Sequence, residues 1–115
     1  MWRDEATLLD IDIAARFIVD FTQGLDRDRF EDDVKTRSAV LHQFLVMGEA
    51  VKRLSAEFRA RHPHIPWKDV AGMRDRLIHG YDQIDFDVVW EAAKVEVPRF
   101  LTLLRPLLPE DDSSS

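Results

Sequence analysis

The chain has no cysteine, and only four glycines and five prolines interrupt its 115 residues. The lack of cysteine excludes disulfides and thiolate metal sites, and it fits a reducing compartment. No apolar run reaches the roughly 18 residues typical of a membrane span. The first residues, 1–5, are acidic where a secretory signal is basic and then apolar. We therefore expect a cytoplasmic protein.

Positive charge is also scarce, because the formal net charge is −6. A protein that holds nucleic acid through a broad phosphate footprint is usually basic, so any such contact must use a local basic patch. Hydrophobic residues make up 45% of the chain and charged residues 33%, as in globular proteins. We predict one helical domain over residues 1–109, followed by a polar, disordered tail at 110–115.

Apolar residues recur at helical spacing, which predicts an all-α protein. A first helix over about 4–21, ended by Gly24, carries two adjacent apolar stripes. One stripe contains Leu8, Ile11, Ala15, Ile18 and Thr22, and the other contains Leu9, Ile13, Phe17 and Phe21. A short helical turn at 26–32 is predicted to be anchored by Phe30.

The longest predicted helix spans about 33–62 and ends at Pro63. Its middle, residues 40–47, is apolar over most of its circumference, which indicates burial on two sides. In so small a domain we expect a partner subunit to cover the second side.

Two further helices complete the prediction of an antiparallel bundle of about five helices. One begins at Pro66 and ends at Gly80, a natural position for a left-handed helix end. The other runs over about 85–108, with Asp85 as its N-cap and with Pro98 kinking or dividing it. Trp67 and Trp90 are interpreted as core anchors.

The segment 73–81, MRDRLIHGY, carries the residues best suited to chemistry. Arginine binds phosphate through paired hydrogen bonds, and histidine exchanges protons near neutral pH. Facing one groove, they suffice to cleave a phosphodiester that carries its own nucleophile, as RNA does in its 2′-hydroxyl. Asp75 and His79 share a helix face, so the carboxylate is expected to orient the imidazole. Arg74 and His79, however, lie roughly 140° apart around the axis and converge only by a long reach or through a second copy.

Four other residues are weaker candidates. Glu49, in the middle of the long helix, needs a partner if it is buried, and an arginine across the bundle is the obvious one. It has either a structural or a site-supporting role. His42 is interpreted as a core or interface residue. The His62–Pro63–His64 pattern lacks a third ligand nearby and favours a solvated turn. The sequence therefore predicts neither a metal site nor a cofactor. It contains no P-loop and no dinucleotide-binding motif.

Four segments in this order, 48–54, 65–73, 74–81 and 85–90, closely resemble HepT-like toxins of the HEPN superfamily. The resemblance extends from the first helix to Pro98. It implies an all-α homodimer in which the two motif segments meet in a cleft between subunits. It also implies a metal-independent RNase of a toxin–antitoxin pair, whose partner is a minimal nucleotidyltransferase.

The resemblance assigns roles to residues of the motif. Arg74 is expected to bind the scissile phosphate, and His79 to act as general base or acid in 2′-hydroxyl attack. Asp75 stands where the family has Asn or Asp, and is expected to orient the site. Tyr81 corresponds to the tyrosine to which the partner transfers AMP. An alternative remains open: a non-catalytic subunit that helps a nucleotidyltransferase bind a nucleotide or substrate.

Overall fold

The computed structural model describes residues 2–109, and within them the chain is built from helices. The helices are α1 (Trp2–Thr22), α2 (Arg27–Asp32), α3 (Val34–Arg53), α4 (Ala56–Arg61), α5 (Trp67–His79), α6 (Phe86–Glu91) and α7 (Val97–Leu104). A π-helical segment, Ala92–Glu96, joins α6 to α7, and 3-10 turns form at Tyr81–Gln83 and Arg105–Leu107. The predicted all-α class is confirmed. The predicted tail, 110–115, lies outside the described residues.

Helix α3 lies at the centre of the domain. It packs against α1 on one side and α5 on another, while α7 lies against α1. The apolar middle of α3 is thus buried largely within one chain, and Val40, Phe44 and Met47 are all inside the core. A partner subunit is not required to explain this pattern.

The predicted long helix is wrong in one respect, because it breaks at Leu54–Ser55. Leu54 is extended (ψ 143°), and Ser55 caps α4 by accepting a hydrogen bond from the Phe58 amide. Asp4 of α1, only 2% exposed, accepts hydrogen bonds from both the amide and the hydroxyl of Ser55, each at 2.9 Å. These interactions satisfy the backbone at the break and lower the pKa of Asp4, chiefly through the Ser55 amide.

The two apolar stripes of α1 differ in burial. The first is buried, as expected from its spacing, with Ile11, Ala15 and Ile18 fully inside the core. In the second, Leu9, Ile13 and Phe17 are exposed, and Phe17 stacks on Phe21 at a centroid distance of 5.3 Å. A helix on the outside of a small bundle has neighbours on one face only, so the second stripe remains on the surface.

Three expectations for the rest of the chain hold in detail. Phe30 is fully buried, Asp85 caps α6 through its side chain, and Trp67 lies in the core with its indole donating to the His62 carbonyl. Trp90 is partly buried and packs against Phe30.

Pro98 was predicted to kink or divide the last helix; it interrupts the regular α-helical bonding there, while the helical backbone continues from 86 to 104. It lies at the start of α7, directly after the π-helical segment. Proline has no N–H to offer the preceding turn and its ring crowds that turn, so the backbone there departs from regular α-helical bonding. None of the helices described in residues 2–109 is long and apolar enough to cross a membrane.

Candidate active site

Helix α5 carries the candidate site and lies closely against α3. Gly48 of α3 permits this approach, because a Cβ atom there would overlap the Cβ of Arg74 and lie 3.1 Å from the Val70 carbonyl oxygen. The small residue brings the base of the Arg74 side chain against the backbone of α3. The guanidinium then reaches Glu49, the next residue of that helix.

Arg74 is held by two carboxylates. Its Nη2 lies 3.1 Å from Glu49 Oε2, and its Nη1 donates to Asp75 Oδ1 at 2.9 Å. Glu49 therefore has the arginine partner that was expected across the bundle. Its side chain is half exposed rather than buried, so both Arg74 and water solvate the carboxylate. The contacts with Glu49 and Asp75 fix the orientation of the Arg74 guanidinium.

Asp75 lies between the arginine and the histidine, and it contacts each through a different group. Its carboxylate accepts hydrogen bonds from Lys52 at 2.6 Å and from Arg74 at 2.9 Å. These two cations, Lys52 first, hold the pKa of the Asp75 carboxyl below its ordinary value. Its backbone carbonyl, not the carboxylate, lies 2.8 Å from Nδ1 of His79. The prediction that the Asp75 carboxylate contacts the imidazole is therefore wrong, because the backbone carbonyl makes that contact instead.

The contact of His79 with a carbonyl fixes the roles of its ring nitrogens. A carbonyl oxygen only accepts, so Nδ1 carries a proton in this arrangement. In the neutral ring, Nε2 is then the basic nitrogen. His79 is exposed at the end of α5 and lines a cavity of about 430 Å³ together with Arg76 and Gln83.

The end of α5 differs from the predicted left-handed cap. Gly80 has φ −124°, and its amide donates to the Arg76 carbonyl. The chain continues directly into the 3-10 turn Tyr81–Gln83, and Tyr81 is 54% exposed there. The tyrosine is thus outside α5 and open to solvent.

The structure brings Glu49, Arg74, Asp75 and His79 into one connected set, and it adds Lys52, which was not singled out from the sequence. Lys52 lies three residues after Glu49 and so shares its helix face, a signal that spacing could have supplied. His42 is exposed on α3, so a core role for it is wrong. His62 packs on Phe58, and its ring lies 6.1 Å from that of His64. Among residues 2–109 there is no group of three or more side chains arranged to hold a metal ion.

The fold and the site define a class: a small helical domain whose candidate arginine and histidine lie on one helix, α5. The family model for ribonuclease HepT-like proteins matches residues 11–107. The chain belongs to this HepT-like ribonuclease family.

Individual relatives agree with this assignment. The chain is 43% identical over 94 residues to "Putative RNase MJ0125" of Methanocaldococcus jannaschii, covering 82% of this chain and 81% of that protein. It is 36% identical over 113 residues to "Putative RNase MJ0127" of the same organism, with 95% and 93% covered. It is 40% identical over 91 residues to "Probable ribonuclease HepT" of Thermococcus cleftensis, with 79% and 83% covered. No significant match was found among solved structures.

Proposed function

We propose that this protein is a metal-independent endoribonuclease toxin of a type VII toxin–antitoxin pair, with Arg74 and His79 as its catalytic residues. The observation that carries the proposal is the anchoring of both side chains on Asp75, through its carboxylate and its carbonyl. Asp75 thereby fixes the orientation of a phosphate-binding group and of a proton-transfer group on the same helix, and in the proposed dimer a second copy of α5 brings the two kinds of group together.

Arg74 binds the scissile phosphate. The two carboxylates engage only part of its guanidinium, so further N–H donors are left for the non-bridging oxygens. Charge develops on these oxygens as the 2′-oxygen attacks, and a fixed cation stabilises it.

His79 removes the proton of the 2′-hydroxyl through Nε2. The 2′-oxygen then forms a bond to phosphorus and the bond from phosphorus to the 5′-oxygen breaks. The leaving 5′-oxygen takes up a proton from water, and His79 returns the proton it removed to solvent. The products are a 2′,3′-cyclic phosphate and a free 5′-hydroxyl. The RNA supplies the nucleophile, so no step calls for a metal ion.

The homodimer is part of the proposal, although the apolar middle of α3 no longer argues for it. The support is the placement of the motif at the edge of the domain, where a second α5 can approach. Light scattering at micromolar concentration should give a mass near twice 13.4 kDa. A clean monomer would remove the shared cleft from the proposal.

The catalytic assignment is tested with purified protein and a single-stranded RNA. Arg74→Ala and His79→Ala should each reduce cleavage about 10²–10⁴-fold with the fold intact, because both side chains are at least partly exposed. Arg53→Ala is the matched control, since it removes a neighbouring cation from α3 outside the site. Cleavage should persist in excess EDTA, and complete loss restored by magnesium would refute the mechanism.

A protein that folds normally and binds RNA but never cleaves it would favour the alternative, a non-catalytic partner of a nucleotidyltransferase. The same preparation therefore separates the two functions. Wild-type activity retained in both Arg74→Ala and His79→Ala would instead place the chemistry elsewhere.

Silencing by AMP transfer to Tyr81 is the second half of the proposal. The exposed phenol is open to a modifying enzyme, and an attached AMP would bring a phosphate near Arg74. Tyr81→Phe should retain cleavage but escape inhibition by the minimal nucleotidyltransferase and ATP. Equal inhibition of wild type and Tyr81→Phe would mean that the antitoxin acts by binding alone.

A further inference from the structure

Lys52 is a second cation at the candidate site, and it converges with Arg74 on a single atom. Lys52 Nζ lies 2.6 Å from Asp75 Oδ1, and Arg74 Nη1 lies 2.9 Å from the same oxygen. The two cations come from different helices, α3 and α5. Their shared oxygen shows that one anionic oxygen atom fits between them.

Both cations keep hydrogen-bonding capacity toward solvent. Asp75 engages one donor of the Lys52 ammonium, and Glu49 and Asp75 engage part of the Arg74 guanidinium. The Lys52 side chain is 39% exposed and that of Arg74 is 26% exposed. An incoming phosphate can therefore approach both from the open side without entering the core.

We propose that Lys52 and Arg74 together bind one phosphate group of the RNA. The inference rests on the proposed function for the identity of the ligand, and it adds a residue to which no role was assigned. In a protein of net charge −6, whose Glu49 and Asp75 balance the charges of this pair, binding would rest on direct hydrogen bonds from the two cations to the phosphate. The pairing with Asp75 keeps both cations in place before RNA arrives.

Arg53 provides a matched comparison. It is the next residue of α3 and has the same charge, but its guanidinium lies 3.9 Å from Asp10 of α1 rather than near Asp75. Lys52→Gln and Arg53→Gln therefore remove the same charge from neighbouring positions, one at the proposed phosphate contact and one that faces α1 instead. Any long-range electrostatic effect should be similar in the two variants.

Binding is measured with a fully 2′-O-methylated RNA, which cannot be cleaved, by fluorescence anisotropy over a series of salt concentrations. Lys52→Gln should weaken binding about 10-fold, as expected for a hydrogen bond to a charged group. It should also reduce the slope of log affinity against log salt by about 0.7, the value for one phosphate contact on a single strand. Arg53→Gln should leave the slope unchanged, and Lys52→Arg, which keeps the charge, should retain most of the affinity.

Three results would overturn the inference. Equal weakening by Lys52→Gln and Arg53→Gln would show a general charge effect. A lower unfolding midpoint in Lys52→Gln with unchanged binding would show that Lys52 only ties α3 to α5. Failure of the wild-type protein to bind the RNA would remove the phosphate site altogether. Absence of cleavage of unmodified RNA, with Lys52-dependent binding intact, would count against the proposed function and leave this inference standing.

Discussion

Asp4 and Asp75 both have a lowered pKa, yet their surroundings differ in kind. Asp4 is buried and accepts hydrogen bonds from two neutral donors of Ser55 at the break between α3 and α4. Asp75 is 42% exposed and its carboxylate is bound by two cations. A buried acid satisfied by neutral donors holds a fold together. An exposed acid between cations contributes little to stability but fixes charges that a ligand can use.

The comparison predicts opposite outcomes for Asp75→Ala and Asp4→Ala. The largest expected effect is the loss of activity in Asp75→Ala. Asp75→Ala frees the Lys52 ammonium and removes one of the two carboxylates that hold the Arg74 guanidinium, so the proposed phosphate-binding group loses its fixed orientation. We expect cleavage to fall by up to about 100-fold, the effect of a small misplacement of a catalytic group. The unfolding midpoint should stay unchanged, because the lost contacts are exposed. Cleavage kinetics and thermal melts on the same samples measure activity and stability. A large loss of stability in Asp75→Ala would contradict the difference proposed between Asp75 and Asp4.

Gly48→Ala should affect both properties at once, because Gly48 lies where α3 meets Arg74. Its new methyl group would force the two helices apart, at a cost of about 1–3 kcal/mol in the free energy of unfolding. Cleavage should fall as well, since Arg74 moves with α5. Gly72→Ala on α5 is the control, because a Cβ there meets nothing within 4 Å. It should be neutral or stabilising by up to about 1 kcal/mol. Equal behaviour of the two alanines would show that close approach at Gly48 is unimportant.

Asp4→Ala should destabilise the protein and leave the chemistry unchanged. It removes the acceptor for the partly buried amide and hydroxyl of Ser55, a loss of about 1–3 kcal/mol. Asp4→Asn should lose less, because an amide can accept from the Ser55 N–H and donate to its hydroxyl. Urea unfolding measures both variants. Cleavage per folded molecule should match the wild type, and a decrease there would mean that the break at Ser55 influences the site.

The smallest effect concerns pH. The folded pKa of Asp4 is lower than its ordinary value of 3.8, so its contribution to stability is present above that value and is lost as pH falls through the folded pKa. Stability of the wild type should therefore decline more steeply below about pH 4 than that of Asp4→Asn. Unfolding curves recorded at pH 7 and at successively lower pH compare the two. Parallel curves would show that another carboxyl dominates the acid response.

The sequence predicts the helical class and most of the helix boundaries because apolar spacing and caps act locally. Asp85, Phe30 and Pro98 each perform the role expected from their immediate neighbours. The break at Ser55 was not predictable in this way, since its stabilising partner, Asp4, is 51 residues away. The exposed stripe of α1 was missed for a related reason: periodicity identifies an apolar face but not what covers it.

The sequence supplied the candidate residues of the site but not the contacts between them. The spacing of Asp75 and His79 correctly placed them on one face, yet it could not distinguish a carboxylate from a carbonyl as the acceptor. Spacing could have placed Lys52 on the face of Glu49, but not in contact with Asp75, because that partner lies on another helix that the packing at Gly48 brings close. Contacts between α3 and α5 depend on helix packing, which a single helical repeat does not specify.

The hydrogen bond between His79 and the Asp75 carbonyl also bears on how this site tolerates genetic change. Every amino acid has a main-chain carbonyl oxygen. A replacement at position 75 therefore keeps the acceptor for His79 as long as the helix is maintained. The contact of the imidazole is therefore independent of the side chain at position 75, which contacts the two cations Lys52 and Arg74 instead. A replacement at position 75 would then change the proposed phosphate contact without disturbing the proposed proton-transfer group.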